Sequence, residues 1–323
     1  MDSDLPYSIL SFIFSKLSFK DRVKTSLLSK HWLHEWRFSS TTHLNFDLYN
    51  TLATDKSQFT ARLDQFMLHY QHATISSIRV KFPLGDEHRD VIDRLISEGI
   101  AKGVKHIQLL FSHQTNHTNL NLEFKPYRFP FTLLSNTDSL TYLHLENCLL
   151  VASMDFSGLK NLTTLVLQQI VVKQDLLESL LSNCIHLADF TLDNCELCYY
   201  FKIITPTLVH LKIVNCRCIF MTEIYITTSK LRRLNMIDCG SEISAPYMIY
   251  IDAKNLSSFE YSGVITRKFS VMAPKLLEIF LNASVKHKYS GHTTTTPKLL
   301  KVFWNAAVRE ENRQIKDYVS FEF

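Results

Sequence analysis

From Leu140 onward the apolar positions recur in a nine-residue phrase, Leu-x-x-Leu-x-Leu-x-x-Cys or a close apolar variant. It occurs eight times: LTYLHLENC at Leu140, LTTLVLQQI at Leu162, LADFTLDNC at Leu187, LVHLKIVNC at Leu208, LRRLNMIDC at Leu231, LSSFEYSGV at Leu256, LLEIFLNAS at Leu276 and LLKVFWNAA at Leu299. Successive starts lie 22, 25, 21, 23, 25, 20 and 23 residues apart. Apolar and polar residues alternate within each phrase, as in a strand with one buried face. A single unit has too little apolar surface to fold alone. Units of this period therefore stack into a solenoid with a parallel sheet along its concave side.

The period falls within the ~20–29 residues of leucine-rich repeats. Strand alternation sends the leucines inward and the residues between them onto the exposed sheet. That places Tyr142, His144 and Glu146, His210 and Lys212, Arg233 and Asn235, Glu278, Phe280 and Asn282, and Lys301, Phe303 and Asn305 on the concave face. Of these, Tyr142, His144, His210, Lys212, Arg233, Phe280 and Phe303 are the candidate contacts to a bound target, because aromatic and cationic groups give contact area and directional bonds. Packing between cross-strand neighbours is the competing use of such residues. Cys148, Cys195, Cys216 and Cys239 hold the ninth position, after Asn in three units and after Asp238 in the fourth. There the chain turns beneath the strand, and a small thiol packs against the next coil.

Residues 41–139 are less periodic. THLNFDL at 42–48, SIRVKF at 77–82 and KHIQLLF at 105–111 read as strands, and the pattern from Val91 to Ile100 as a helix before an early, oversized repeat. SHQTNHTNLN at 112–121 and TTTT at 293–296 read as polar loops. The boundaries that follow are a helical module over 1–40 and a solenoid over 41–323, irregular at 41–139 and regular at 140–307.

The first forty residues have helical spacing instead. Pro6 suits a first helical turn, and Ile9, Ile13 and Leu17 recur at i, i+4, i+8 beside Leu10 and Phe14. Ser18 with Asp21 opens a second helix carrying Val23 and Leu27, and Ser29 opens a third with Trp32 and Trp36 one turn apart. Three short helices of this size cannot bury so many large apolar groups among themselves. Part of that surface is left for the solenoid end or for a partner.

Composition narrows the function. The chain has 323 residues, 46% of them hydrophobic and 20% charged, and a formal net charge of +4, without any basic run that would mark a nucleic-acid arm. Asp2 and Asp4 precede the apolar LPYSILSFIF, where a secretion signal needs positive charge, and no apolar run is long enough to span a bilayer. Seven cysteines, an odd number, fit an intracellular protein of nucleus or cytoplasm better than a disulfide framework. Cys195-x-x-Cys198 and Cys216-x-Cys218 approach a zinc-ribbon spacing, but the second pair is one residue short and two of the four already belong to the repeat. His113 and His117 sit in a polar loop without the glutamate of a metalloprotease helix. With 7 glycines and no phosphate loop, dinucleotide fingerprint or nucleophile elbow, the chain points to recognition without catalysis, metal or cofactor.

LPYSIL, SKLSFKDRVKTSLLSKHW and the closing Trp36 resemble the F-box, most closely that of plant F-box proteins with leucine-rich repeats. Leu5-Pro6, Ile9-Leu10, Ile13, Leu17, Asp21, Val23, Ser26, Leu28-Ser29, Trp32 and Trp36 fall at that motif's spacings. ISSIRVKF at 75–82, VIDRLISEGIAKGVKHIQL at 91–109 and DLLESLLSNCIHLADFTLDNC at 175–195 resemble the same family's spacer and repeats. The resemblance implies a substrate-recognition subunit of a SKP-cullin-F-box ubiquitin ligase. Leu5, Pro6, Ile9, Leu10, Ile13, Leu17, Val23, Leu28 and Trp32 would dock on a SKP-type adaptor, which brings cullin and a RING subunit, while the repeats hold a target protein. Two other readings stand beside it: a repeat scaffold whose helices only cap the solenoid, and a small-molecule or inositol-phosphate sensor, for which Lys212, Arg232 and Arg233 supply few cations.

Overall fold

The computed structural model describes Leu5, Pro6, Ile9, Phe12, Ile13, Lys16, Leu17 and Asp21, then His43 to Val285 apart from 48–50, 52, 54, 71–73, 113–124, 152–155, 219–221, 240–245 and 266–267. Beyond these it describes the strands Lys298–Phe303 and Val319–Glu322; side chains at 264–269 and after Phe280 are not described. The fold is α/β, with few helices and mostly parallel strands. The chain forms two compact units, Met1–Leu149 and Leu150–Phe323.

In the first unit, β1 (His43–Asp47), β2 (Ser77–Lys81), β3 (His106–Leu110) and β4 (Tyr142–Glu146) pair in parallel in chain order. Their alternate residues Leu44, Phe46, Ile78, Val80, Ile107, Leu109, Leu143 and Leu145 are buried, so the three strands read at 42–48, 77–82 and 105–111 are present. The helix read from Val91 to Ile100 is α2 (Arg89–Ala101). Gly103 ends it at φ 75, with Gly103 N donating to Ile100 O at 3.0 Å and Val104 N to Gly99 O at 3.0 Å. This paired closure needs a left-handed residue, which glycine supplies without strain. Gly99 packs closely as well: a Cβ there would lie 2.4 Å from Ile78 Cδ1, so a larger residue would have to displace the end of that buried side chain on β2.

An unforeseen helix, α1 (Lys56–His69), is capped by Asp55, whose side chain accepts from Gln58 N at 2.8 Å. Phe59 stacks on Phe82 with ring centres 4.2 Å apart, and Phe66 meets Phe46 edge-on at 5.2 Å. Their spacing puts both rings on one helical face, so burial of that face holds α1 in place.

In the second unit, β5 (Thr164–Gln168), β6 (Asp189–Asp193), β7 (His210–Val214), β8 (Arg233–Cys239), β9 (Ser258–Ile265) and β10 (Glu278–Val285) again pair in parallel in chain order. The fourth and sixth residues of each phrase are buried where described, from Leu165 and Leu167 through Leu211 and Ile213 to Phe259 and Tyr261. Helix α3 (Gln174–Asn183) connects β5 to β6 and buries Leu176, Leu177, Leu180 and Leu181.

The end of each phrase has its own rule, in both units. Asn147, Gln169, Asn194, Asn215 and Asp238, all eighth residues, have φ between 50° and 53°, and the next eighth residue, Gly263, has φ 152°. Short polar side chains and glycine tolerate this region best, which explains the Asn and Asp before the cysteines. The turn drops the ninth residue under the sheet: Cys148, Cys195, Cys216 and Cys239 are buried. Cys195 Sγ donates to Leu167 O at 3.2 Å, Cys216 Sγ to Leu192 O at 3.6 Å and Cys239 Sγ to Ile213 O at 3.3 Å. These three thiols thus reach the sixth-position carbonyl of the preceding coil, whereas Cys148 Sγ donates to Glu146 O at 3.4 Å.

A second parallel sheet, not read from the sequence, comprises Tyr200–Ile204, Glu223–Thr227, Met248–Asp252 and Lys268–Met272. Gln174 occupies its Tyr200 edge: Lys202 N donates to Gln174 Oε1 at 2.9 Å and Gln174 Nε2 to Lys202 O at 3.0 Å. One side chain thereby satisfies both backbone groups of an edge residue.

The eighth phrase departs from the repeat. Its strand, β11 (Lys298–Phe303), runs antiparallel to β10, and Val319–Glu322 likewise runs antiparallel to Lys268–Val271. Both sheets therefore end in a reversed strand, where the periodicity alone implied another parallel coil. Among the described residues, no helix is long and apolar enough to cross a membrane.

Candidate functional site

On the outward face of β7 and β8, the parallel register sets His210 beside Arg233 and Lys212 beside Asn235. His210, Lys212 and Arg233 are exposed, because alternation has spent the intervening Leu211 and Leu234 on the core. His210 Nδ1 lies 2.6 Å from Asp189 Oδ1 on β6, and Asn235 Nδ2 donates to Glu260 Oε2 on β9. Both flanking carboxylates are thus engaged. Lys212 and Arg233 meet no carboxylate at ion-pair distance among the described residues. Phe280, on β10, is 38% exposed.

The first unit presents Tyr142 and His144 on β4, both half-buried. His106 meets the Tyr142 ring edge-on at 5.8 Å, and burial raises the Tyr142 phenol above its ordinary pKa. Glu146 differs from its expected exposure: it is 7% exposed, and its register neighbour Leu110 is buried as well. Alternation gave the face correctly but not what covers this end of it. Phe303 pairs in register with Glu278, and Lys301 with Phe280, in the antiparallel strand. Their side chains and those of Asn282 and Asn305 lie outside the described residues.

In the N-terminal segment, Pro6 and Ile9 are exposed, Ile9 by 46%, while Leu5, Ile13 and Leu17 are half-buried. Ile9 N donates to Pro6 O at 2.9 Å and Leu17 N to Ile13 O at 3.2 Å, as a helical course requires. Phe12, 64% exposed and under Lys16 Nζ at 5.5 Å, extends the apolar surface and was missed among the adaptor candidates. Its place three residues after Ile9 was signal enough. Leu10, Val23, Leu28 and Trp32 lie outside the described residues.

Most cysteine contacts are to backbone carbonyls. Besides the coil contacts, Cys198 Sγ donates to Tyr200 O at 3.2 Å. Burial pushes Cys184 and Cys239 up to about 12 and Cys218 up to about 11, while Cys216 is raised by its hydrogen bond with Cys195 and by burial. No group of three His, Cys, Asp or Glu side chains suited to a metal occurs among the described residues; His113 and His117 lie outside them.

A row unnoticed in the sequence runs along the second sheet, where Tyr200 and Tyr225 are 5.1 Å apart and Tyr225 and Tyr250 6.0 Å apart between ring centres. The signal was a tyrosine every 25 residues, hidden because these strands lack the leucine phrase.

Comparison with known proteins assigns the two regions separately. A family model for the F-box domain matches residues 3–40, and the At1g61320/AtMIF1 LRR-domain model matches residues 70–209. Among Arabidopsis thaliana proteins, F-box/FBD/LRR-repeat protein At5g44980 is 28% identical over 88% of this chain and 66% of its own length. F-box/LRR-repeat protein At3g26922 is 32% identical over 66% of each, and F-box/FBD/LRR-repeat protein At1g78750 28% identical over 56% of this chain and 39% of its own. The chain thus spans between about two fifths and two thirds of these relatives.

Proposed function

We propose that this chain, a plant-type F-box/leucine-rich-repeat protein, is the substrate receptor of a SKP-cullin-F-box ubiquitin ligase. The observation that carries the reading is the union in one chain of an F-box match over residues 3–40 and stacked repeat coils with an exposed sheet face. The N-terminal helices dock on a SKP-type adaptor by Leu5, Pro6, Ile9, Leu10, Ile13, Leu17, Val23, Leu28 and Trp32. The exposed apolar side chain of Ile9 accords with a helix laying its apolar face into a partner's groove. The adaptor links the chain to cullin and RING subunits, and the outward sheet face selects the target.

The chain itself supplies no chemistry in this reading. Its role is to raise the effective concentration of the target beside the ligase, a gain that needs no new contact at the reacting atoms. The domain boundary near residue 40 belongs to the same proposal, with 1–40 for the adaptor and 41–323 for the target.

Co-purification tests it. The full chain should recover a SKP-type adaptor in stoichiometric amount, and replacing Leu5-Pro6 by Ala-Ala should weaken recovery by ~2–4 kcal/mol, the range of buried hot spots. Absence of adaptor from folded wild-type protein would reduce the N-terminal helices to a solenoid cap.

A further inference from the structure

We infer that the target enters this face as an extended segment carrying one acidic residue two positions from an apolar one, lying along β7 and β8. The inference rests on the receptor reading above and adds the chemistry of what is received.

Charge across the second unit's outward face is banded. Asp189 and Asp193 stand on β6, His210, Lys212 and Arg233 on β7 and β8, and Glu260 and Glu278 on β9 and β10. The acidic bands are partly occupied, Asp189 by His210 and Glu260 by Asn235. In the basic band, Lys212 and Arg233 hold diagonal register positions on adjacent strands. Among the described residues neither has a carboxylate partner, so one carboxylate lying over the diagonal would meet both.

Val214 and Ile237 are half-buried in mutual register two residues beyond Lys212 and Asn235, on the same face. They form an apolar shelf ~7 Å along the strand from Lys212, at ~3.4 Å rise per residue. An extended peptide lying along the strands has that same spacing between side chains i and i+2. An acid seated at the level of Lys212, with the long Arg233 side chain reaching it along the diagonal, therefore brings an apolar neighbour two positions away onto Val214 and Ile237.

The flanking bands limit what else fits. Strands lie ~4.8 Å apart, so the carboxylates of β6 and β9 bound a basic strip roughly 14 Å wide. That is under two Debye lengths of ~8 Å at physiological salt. A polyanion broader than the strip would meet Asp189 and Asp193 on one side and Glu260 and Glu278 on the other. Like-charge juxtaposition of this kind rejects wrong partners, disfavouring nucleic acid and polyphosphorylated small molecules.

A displayed library of random dodecapeptides, selected on the immobilised full-length chain, tests this. Enriched peptides should carry Asp or Glu two positions from Leu, Ile, Val or Phe. A synthetic copy should lose about tenfold or more in affinity against Lys212→Glu/Arg233→Glu, and less against the matching serine pair. Selected afresh, the charge-reversed chain should enrich Lys or Arg at the acid's position. Lys160→Glu, exposed elsewhere in the unit, should change nothing. Enrichment without an acidic residue, binding indifferent to charge reversal in folded protein, binding by the phosphorylated peptide alone, or no enrichment would each overturn the inference. The selection contains no adaptor. An acidic selection together with failed adaptor recovery would fail the receptor reading alone.

Discussion

Replacing Leu211 by Ala separates the two faces of one strand. Leu211 sits on β7, 1% exposed, with Phe190 and Leu234 in register on either side. The substitution deletes three carbon groups, and at ~0.8 kcal/mol for each buried methylene the transfer loss is ~2.4 kcal/mol. Neighbouring coils hold the strand in place and limit collapse into the space, so a cavity contribution brings the total to ~3–4 kcal/mol, within the range for buried leucine truncations. That lowers the folded-to-unfolded ratio more than a hundredfold, at ~1.4 kcal/mol per factor of ten. Lys212→Ala, one residue along and exposed, should change stability by less than ~0.5 kcal/mol. Urea unfolding of wild type and both variants, followed by circular dichroism, supplies the comparison. A loss below ~1 kcal/mol for Leu211→Ala, or an equal loss for Lys212→Ala, would refute the assignment of inward and outward positions.

Asn215 at φ 53° predicts that Asn215→Val destabilises by ~1–2 kcal/mol while Asn215→Gly is nearly neutral; equal melting temperatures would remove the left-handed turn from the account. Gln174→Ala should cost ~1–2 kcal/mol and speed hydrogen exchange at the Lys202 amide, whereas unchanged exchange would deny Gln174 its edge-covering role. Acid should loosen the first unit. Burial, the largest single influence, raises the Glu87 pKa, but the Lys56 hydrogen bond, a backbone hydrogen bond and the charges of Lys56 and His88 together leave the carboxyl below its ordinary 4.5, while burial holds His88 below 6.5 against the pull of Glu87. Both shifts mean the unfolded chain binds more protons, so stability should fall as pH drops below about 6.5 and again below about 4.5. The stability gap between wild type and His88→Gln, measured from pH 8 to 5, should narrow as pH falls, and a flat gap would contradict it.

The repeat and its inward leucines were legible because a stacked coil has one geometry to satisfy and restates it every 20 to 25 residues. The first coils were readable as strands from their apolar alternation, although Lys56–His69 escaped because its buried apolar residues, Phe59, Leu63 and Phe66, are few and stand between polar ones. The second sheet had no leucine phrase: its strands, such as EIYIT at Glu223–Thr227, alternate over five residues. That short pattern is ambiguous until a parallel neighbour exists to pair it. The reversed strand Lys298–Phe303 could not be foreseen either, since alternation carries no information about strand direction. At the candidate site, alternation placed His210, Lys212 and Arg233 outward. Which charges are neutralised depends on cross-strand neighbours about 20 residues away in sequence, which only the register reveals.

The central claim is that the N-terminal module couples repeat-bound protein to ubiquitin transfer. The direct measurement is the half-life of a target captured by the repeats, with expression of either the intact chain or the Leu5→Ala/Pro6→Ala/Trp32→Ala variant. Each should bind the target equally, because a repeat contacts mainly its neighbours. Only the intact chain should shorten the target's half-life, and the variant should lengthen it by sheltering what it binds. Equal shortening by both would contradict coupling through the F-box and leave a repeat scaffold in its place.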